Sequence, residues 1–330
     1  MGSRENATGM GEAVLAAALR MEGQQAAAVQ AMLHRLERSA PDLWDPAIGE
    51  HRMIPVDGAE IRVIHIRPGQ SRGARPVVFV PGWGVVPQGF QEFYAALDGG
   101  PELYYLETRE KPSSRILDRR TDMSVSRSAR DIGAALSAMG LAGDRDFVLV
   151  GSCWGASIIL QGLIEGTLEA PTIVAIDPMH ALWFPKWVLR YVAPLLPVFV
   201  TNLLKPFLRR AMIGDMKEKN QKARIERFID EADTWKWKKS AEAARDFELF
   251  GSLARIEREI FVFNGTTDKV HDQRDYPRIA RELPRGRFLY LEADEGERER
   301  LMAIACLEFA RVPAAQGLPP ALLPFEKPVR

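Results

Sequence analysis

Cys153 stands between two glycines in the run Phe147-Val148-Leu149-Val150-Gly151-Ser152-Cys153-Trp154-Gly155-Ala156-Ser157. The apolar residues before Gly151 read as a buried strand and those from Trp154 onward as a helix, so the cysteine falls at a sharp strand-to-helix turn. Glycines at such a turn let strand and helix approach closely, which pushes the middle side chain into a cleft beside the first amides of the helix. The positive helix end favours a thiolate, and the Trp154 N–H becomes a donor to the oxyanion formed when sulfur attacks a carbonyl carbon. The chemistry this suits is acyl transfer through a covalent intermediate. The plain alternative is a cysteine packed in a tight turn, since Cys is among the most buried residue types.

Five histidines are available as a base. His34 belongs to an N-terminal arm and His51 to a linker, both facing solvent, and His65 lies inside a strand away from the sheet's C-terminal edge. His180 and His271 each follow the C-terminal end of an expected parallel strand, the edge where α/β sheets place their sites. Each stands three residues after an aspartate, Asp177 or Asp268. Either could reach Cys153, and the alternative for each is a loop histidine bonded to backbone or water. A thiol needs its base less than a hydroxyl does, because at an ordinary pKa of about 8.5 it already holds a few per cent thiolate at neutral pH.

Positioning these residues requires a sheet. The 330 residues, 46% of them hydrophobic, suffice for one large domain with an insertion and a flanking arm. Residues 11–38 have helical spacing, 42–49 read as a linker, and runs at 52–56 and 60–67 around Asp57-Gly58 read as an antiparallel hairpin. Strands are expected at 76–81, 102–107, 146–151, 172–177, 259–264 and 287–292. Helices fall between them near 88–97, 124–139, 154–165, 240–253, 276–283 and 297–310, a pattern for a mostly parallel sheet with helices on both faces. The plan is an arm and linker at 1–50, a core at 51–178 and 240–312, an inserted helical cap at 179–239 over the site, and an extended proline-rich tail at 313–330.

This order of hairpin, alternating strands and helices, elbow and cap resembles the α/β-hydrolase fold. Phe79-Val80-Pro81-Gly82-Trp83-Gly84 is similar to that fold's oxyanion loop, with Pro81 where a histidine is common. Glu107-Thr108-Arg109-Glu110-Lys111-Pro112-Ser113-Ser114 resembles a degenerate D-x-R-G-x-G-x-S turn, and Phe261-Val262-Phe263-Asn264-Gly265-Thr266-Thr267-Asp268 is similar to the segment that presents the acid of the triad. The resemblance covers residues 52–310. It implies Cys153 as nucleophile, Asp268 as acid, and an oxyanion hole from Trp154, Gly82 and Trp83. As a turn residue, Asp268 has a plain reading too. The resemblance also implies a histidine after the last strand, but that loop reads Glu292-Ala293-Asp294-Glu295-Gly296-Glu297-Arg298-Glu299-Arg300. Glu295 takes the histidine's place, so His271, His180 and Glu295 are alternatives for the base, a carboxylate serving only if apolar surroundings raise its pKa. A cysteine in the elbow is similar to polyhydroxyalkanoate synthases and dienelactone hydrolases, both of which retain that histidine.

The cap opens on Met179-His180-Ala181-Leu182-Trp183-Phe184 and continues through a proline-broken apolar stretch at 191–204, too short to span a bilayer. It suits a lid over an acyl-chain pocket, a docking face for a protein partner or membrane surface, or helices that simply pack together. Residues 182–239 hold thirteen Lys and Arg against six Asp and Glu in a chain of zero net charge, which marks a face for anions such as an acyl-coenzyme A. The expectation is a hydrolase or acyltransferase acting on an ester or thioester. The alternative is a catalytically silent relative that binds an acyl ligand, partner or membrane through its cap. Net charge gives no reason to expect nucleic acid, and no metal-ligand spacing or phosphate-binding glycine loop calls for a metal or cofactor. Two cysteines in so long a chain, without a leader-like N-terminus, suit a reducing cytoplasmic setting.

Overall fold

The structure, a computed structural model, describes residues 12–67, 73–143, 145–182, 184–214, 218–264 and 272–330, apart from the side chains of Asn220 and Glu295. Asp57-Gly58 closes a two-residue turn, with Gly58 at φ +72°, between β1 (Glu50–Val56) and β2 (Ala59–Ile66), which pair antiparallel. The sheet continues through β3 (Val77–Val80), β4 (Leu103–Leu106), β5 (Arg115–Ile116), β6 (Val148–Ser152), β7 (Thr172–Ile176), β8 (Glu259–Asn264), β9 (Arg285–Tyr290) and β10 (Glu326–Lys327). In space the order is β1-β2-β4-β3-β6-β7-β8-β9-β10, with β5 beside β2. From β4 to β9 every neighbouring pair is parallel. β3, β6 and β7 are buried along their whole length, as strands roofed by helices on both sides must be.

Around the sheet lie α1 (Gly23–Arg35), α2 (Gln91–Leu97), α3 (Val125–Ala138), α4 (Trp154–Ile164), α5 (Val198–Ile213), α6 (Lys219–Asp230), α7 (Thr234–Ala243), α8 (Asp275–Glu282) and α9 (Arg298–Ala310). One core layer joins α1, α2 and α9 to the Phe79 and Val150 face of the sheet, and the other joins α3, α4 and α8 to the Val78 and Leu149 face. Alternate residues of each strand thus serve opposite layers. The last residues of β6, β7 and β8 share one edge with the loop after β3, and α5, α6 and α7 belong to the insertion between β7 and β8.

Several expectations need correction. The helix placed at 240–253 is α7 instead, begun at Thr234 because the Asp233 carboxylate accepts from the amides of Trp235 and Lys236, so a cap boundary at 239 cuts a helix. The arm breaks into a helical turn at 12–18 and α1, where Glu22 and Gln25 form a capping box. His51 lies in β1, not a linker, and is half-buried with Nε2 2.8 Å from the Trp44 carbonyl oxygen. The proline-rich tail is not extended. Pro320 begins and Pro324 sits within a 3-10 stretch at Pro320–Phe325, β10 pairs with β9, and Leu318, Leu322, Phe325 and Val329 bury their side chains.

Candidate active site

Ser152 ends β6 and Trp154 opens α4, leaving Cys153 in the turn at φ +53°, ψ −118°. A non-glycine residue at such a φ is strained and persists only where its surroundings over-determine it. They do so here. The Cys153 N–H donates to the Ile176 carbonyl at 2.8 Å. A Cβ at Gly155 would lie 2.2 Å from the Val80 carbonyl oxygen, and one at Gly151 would lie 2.5 Å from the Ala156 Cα. Replacing Gly155 with alanine is therefore expected to cost about 1–3 kcal/mol through overpacking, read as a lower urea midpoint.

Gly82 reaches the same point from the end of β3, since a Cβ placed on it would stand 3.6 Å from Cys153 Sγ. The structure thus brings together Cys153, the loop holding Gly82 and Trp83, and the Trp154 amide, one of the first-turn N–H groups that lack an intrahelical acceptor. Residues 107–114 hold that loop. Lys111, wholly buried, donates from Nζ to the Gly82 carbonyl and pairs with Glu110 at 3.1 Å. Glu110 also accepts from Thr108 Oγ1 at 2.7 Å. Lys236 of α7, its pKa lowered by burial, donates to the carbonyls of Lys111 at 2.9 Å and Ser114 at 2.7 Å. Trp83 Nε1 donates to Ser240 Oγ at 3.0 Å, and its ring centroid lies 4.8 Å from that of Trp237. Loop and cap are consequently one packed unit.

Asp268 and His271 lie outside the described residues, as does Trp183, and so does the side chain of Glu295. His180 gives both ring nitrogens to carboxylates, Nδ1 at 2.9 Å from Glu248 and Nε2 at 3.3 Å from Asp275, while its ring stacks on Phe250. Two carboxylate acceptors favour the doubly protonated imidazole, which offers no lone pair with which to act as a base. The Asp275 hydrogen bond raises its pKa, opposed by burial and helped by Glu248. The network's stabilisation is therefore present in full below about pH 6.5, the ordinary imidazole value, and is lost as pH rises through the raised folded value. We expect a contribution of about 1 kcal/mol or less, seen as a pH-dependent urea midpoint that His180→Gln makes less so.

Beside the thiol stand residues that the sequence did not single out. Met179 Sδ is 3.5 Å from Cys153 Sγ, held by Ser157 Oγ, which accepts from the Met179 N–H at 3.0 Å. Arg224 of α6 interacts electrostatically with Cys153 and pairs with Glu299 at 3.4 Å. Burial lowers the Arg224 pKa, as does repulsion from Arg298, against the pull of Glu299 and Cys153. Arg298 opens α9 and pairs at 3.2 Å with Asp177, which is buried at the end of β7 at φ +47°. Burial also raises the Glu299 pKa, opposed by Arg224. Two arginine–carboxylate pairs thus occupy the region where the α9 loop meets the cap, and Glu218 of the cap packs against Gly296 there. Asp177 did carry a signal, its place at the C-terminal edge of a parallel strand. Arg224 carried none beyond membership of the basic cap. Part of the cap's charge excess is engaged within the fold. Arg224 and Lys236 point inward, Arg190 and Arg209 pair with Asp246 and Asp230, and Lys238 and Lys239 both reach Glu242.

A sequence model of the alpha/beta hydrolase family matches residues 77–296. Comparison with curated protein sequences finds no match. Among solved structures the chain is similar to an esterase from Exiguobacterium antarcticum, at 17% identity and a TM-score of 0.62, covering 77% of this chain and 96% of that one. It is also similar to a thermophilic esterase from Thermogutta terrifontis, at 16% identity and a TM-score of 0.59 over 80% and 98% of the two chains. A hydrolase from Pseudomonas aeruginosa gives 16% identity and a TM-score of 0.60 over 78% and 98%. At these identities the likeness is one of fold.

Proposed function

The chain belongs to the alpha/beta hydrolase family, and on that footing we propose that it cleaves or transfers the acyl group of an ester or thioester through Cys153. The observation that carries this is the thiol held at positive φ at the head of α4, with the Gly82 loop against it. The sulfur, as thiolate, attacks the carbonyl carbon, and the carbonyl oxygen takes up negative charge beside the amides of Trp154, Gly82 and Trp83. The C–O or C–S bond then breaks, the leaving group departs with the bonding electrons, and water or a second acceptor attacks the acyl-Cys153 carbonyl to regenerate the thiol. The weak electrostatic attraction between Arg224 and Cys153 would act in the direction of a thiolate. Asp268 with His271, or Glu295, remain the candidates for moving protons. A thioester suits this site better than an alkyl ester, since its leaving group departs as a thiolate and needs little help from a general acid.

The test joins a turnover assay on aryl esters and acyl thioesters to the pH dependence of Cys153 alkylation by iodoacetamide. Cys306 is wholly buried, with its thiol pKa pushed well up by burial, so Cys153 dominates the alkylation signal. An apparent pKa below about 8.5 that rises in Arg224→Ala is the expected result. No turnover, with a thiol of ordinary reactivity, would overturn the reading. It would favour a binding protein, an alternative supported by the absence of any histidine after His271 and by the commitment of His180 to carboxylates.

A further inference from the structure

Every fourth residue from 187 to 207 is large and apolar. Trp187, Tyr191, Leu195, Phe199, Leu203 and Phe207 are each between 63% and 81% exposed. Within α5 the spacing of four keeps Phe199, Leu203 and Phe207 on one side, and the exposed apolar series continues N-terminally through the turns at Val188–Leu195, across a bend of 117°. Solvated helices do not carry such a stripe, and an exposed apolar surface of this extent marks a site of interaction. Its charge distinguishes the partner. Residues 182–214 contain no Asp or Glu but five Lys and Arg. Arg190 and Arg209 find acids elsewhere, whereas the exposed Lys186 and Arg210 form no ion pair among the described residues. Trp187 and Tyr191 are residues whose rings favour the headgroup level of a bilayer. No single helix among the described residues is long and apolar enough to cross a membrane.

We propose that the segment 186–213 docks on the surface of an anionic bilayer, with the apolar stripe in the acyl-chain boundary and Lys186 and Arg210 at the lipid phosphates. Such binding joins apolar burial to electrostatic attraction, so both halves are testable separately. The inference stands whether or not Cys153 is a nucleophile. The full-length protein is sedimented with vesicles of phosphatidylglycerol and of phosphatidylcholine at several salt concentrations. Binding to the anionic vesicles that weakens with salt is expected, with a loss of at least about tenfold in the double variant Leu203→Glu, Phe207→Glu. Lys186→Gln and Arg210→Gln should each weaken it about fivefold. Because all four side chains project from the surface, circular dichroism should be unchanged. No binding to anionic vesicles, or binding that the glutamates leave intact, overturns the proposal. A concentration-dependent dimer that the same glutamates dissolve, without vesicle binding, would assign the stripe to a second copy of the chain.

Discussion

Cys153→Ala should lower kcat/KM for an acyl thioester by ~10³-fold or more, and Cys153→Ser by nearly as much. The alanine result follows from loss of the atom that forms the covalent bond in the proposed mechanism. The serine result is the more informative, because the two side chains have nearly the same shape and the strained turn should accept either. A hydroxyl attacks only when a base removes its proton in the same step, whereas a thiol can be present beforehand as thiolate. Arg224, a guanidinium, cannot take a proton from an alcohol, and the His180 nitrogens are held by Glu248 and Asp275. Steady-state kinetics with both variants, at matched folding by circular dichroism, provide the check. If Cys153→Ser kept more than about a tenth of the activity, a strong base would have to stand at the site. His271 would then be the residue to replace next.

The contrast between elbow and partners reflects how far apart in sequence the interacting residues are. The G-x-C-x-G turn packs its own neighbours, so the needed small residues are adjacent and legible. Likewise Asp57-Gly58 and the Val-rich runs at β3 and β6 declare their conformation locally. The pairs Arg224–Glu299 and Asp177–Arg298 join the cap and the end of β7 to α9, across long stretches of chain, and no local pattern encodes them. Charged residues in the cap therefore read as a solvent face although some point inward. The tail's sequence is ambiguous for a different reason. Proline suits both extended chain and the first residue of a helical turn, and only the burial of Leu322 and Phe325 decides between them. β5, two residues long, is too short for any periodicity to show.

Arg109→Ala should destabilise the protein by about 3–5 kcal/mol. Arg109 is wholly buried, donates to both Asp131 oxygens at 2.6 and 2.8 Å, and reaches the carbonyls of Asp57 at 3.1 Å and Asp122 at 2.5 Å. Its removal leaves Asp131 a buried carboxylate whose nearest remaining cation is Arg127 at 3.9 Å. Burial already raises the Asp131 pKa against the pull of Arg109. Without that pull the carboxyl takes up a proton more readily, and a neutral acid is far cheaper to bury than an anion. The deficit should accordingly be largest near neutral pH and shrink as pH falls through the raised folded pKa of Asp131, the opposite of the usual acid destabilisation by carboxylates. Urea denaturation at neutral and mildly acidic pH measures this, and a small deficit that does not change with pH would show that the ion pair is not what holds the turn. The double variant Arg109→Met, Asp131→Leu, which leaves no charge behind, should recover much of the loss. Turnover should not recover to the same degree, because Arg109 lies in the chain between Glu107 and the Glu110–Lys111 pair that grips the Gly82 carbonyl. Stability restored without activity would separate the energy of burying the pair from its role in setting the Gly82 loop.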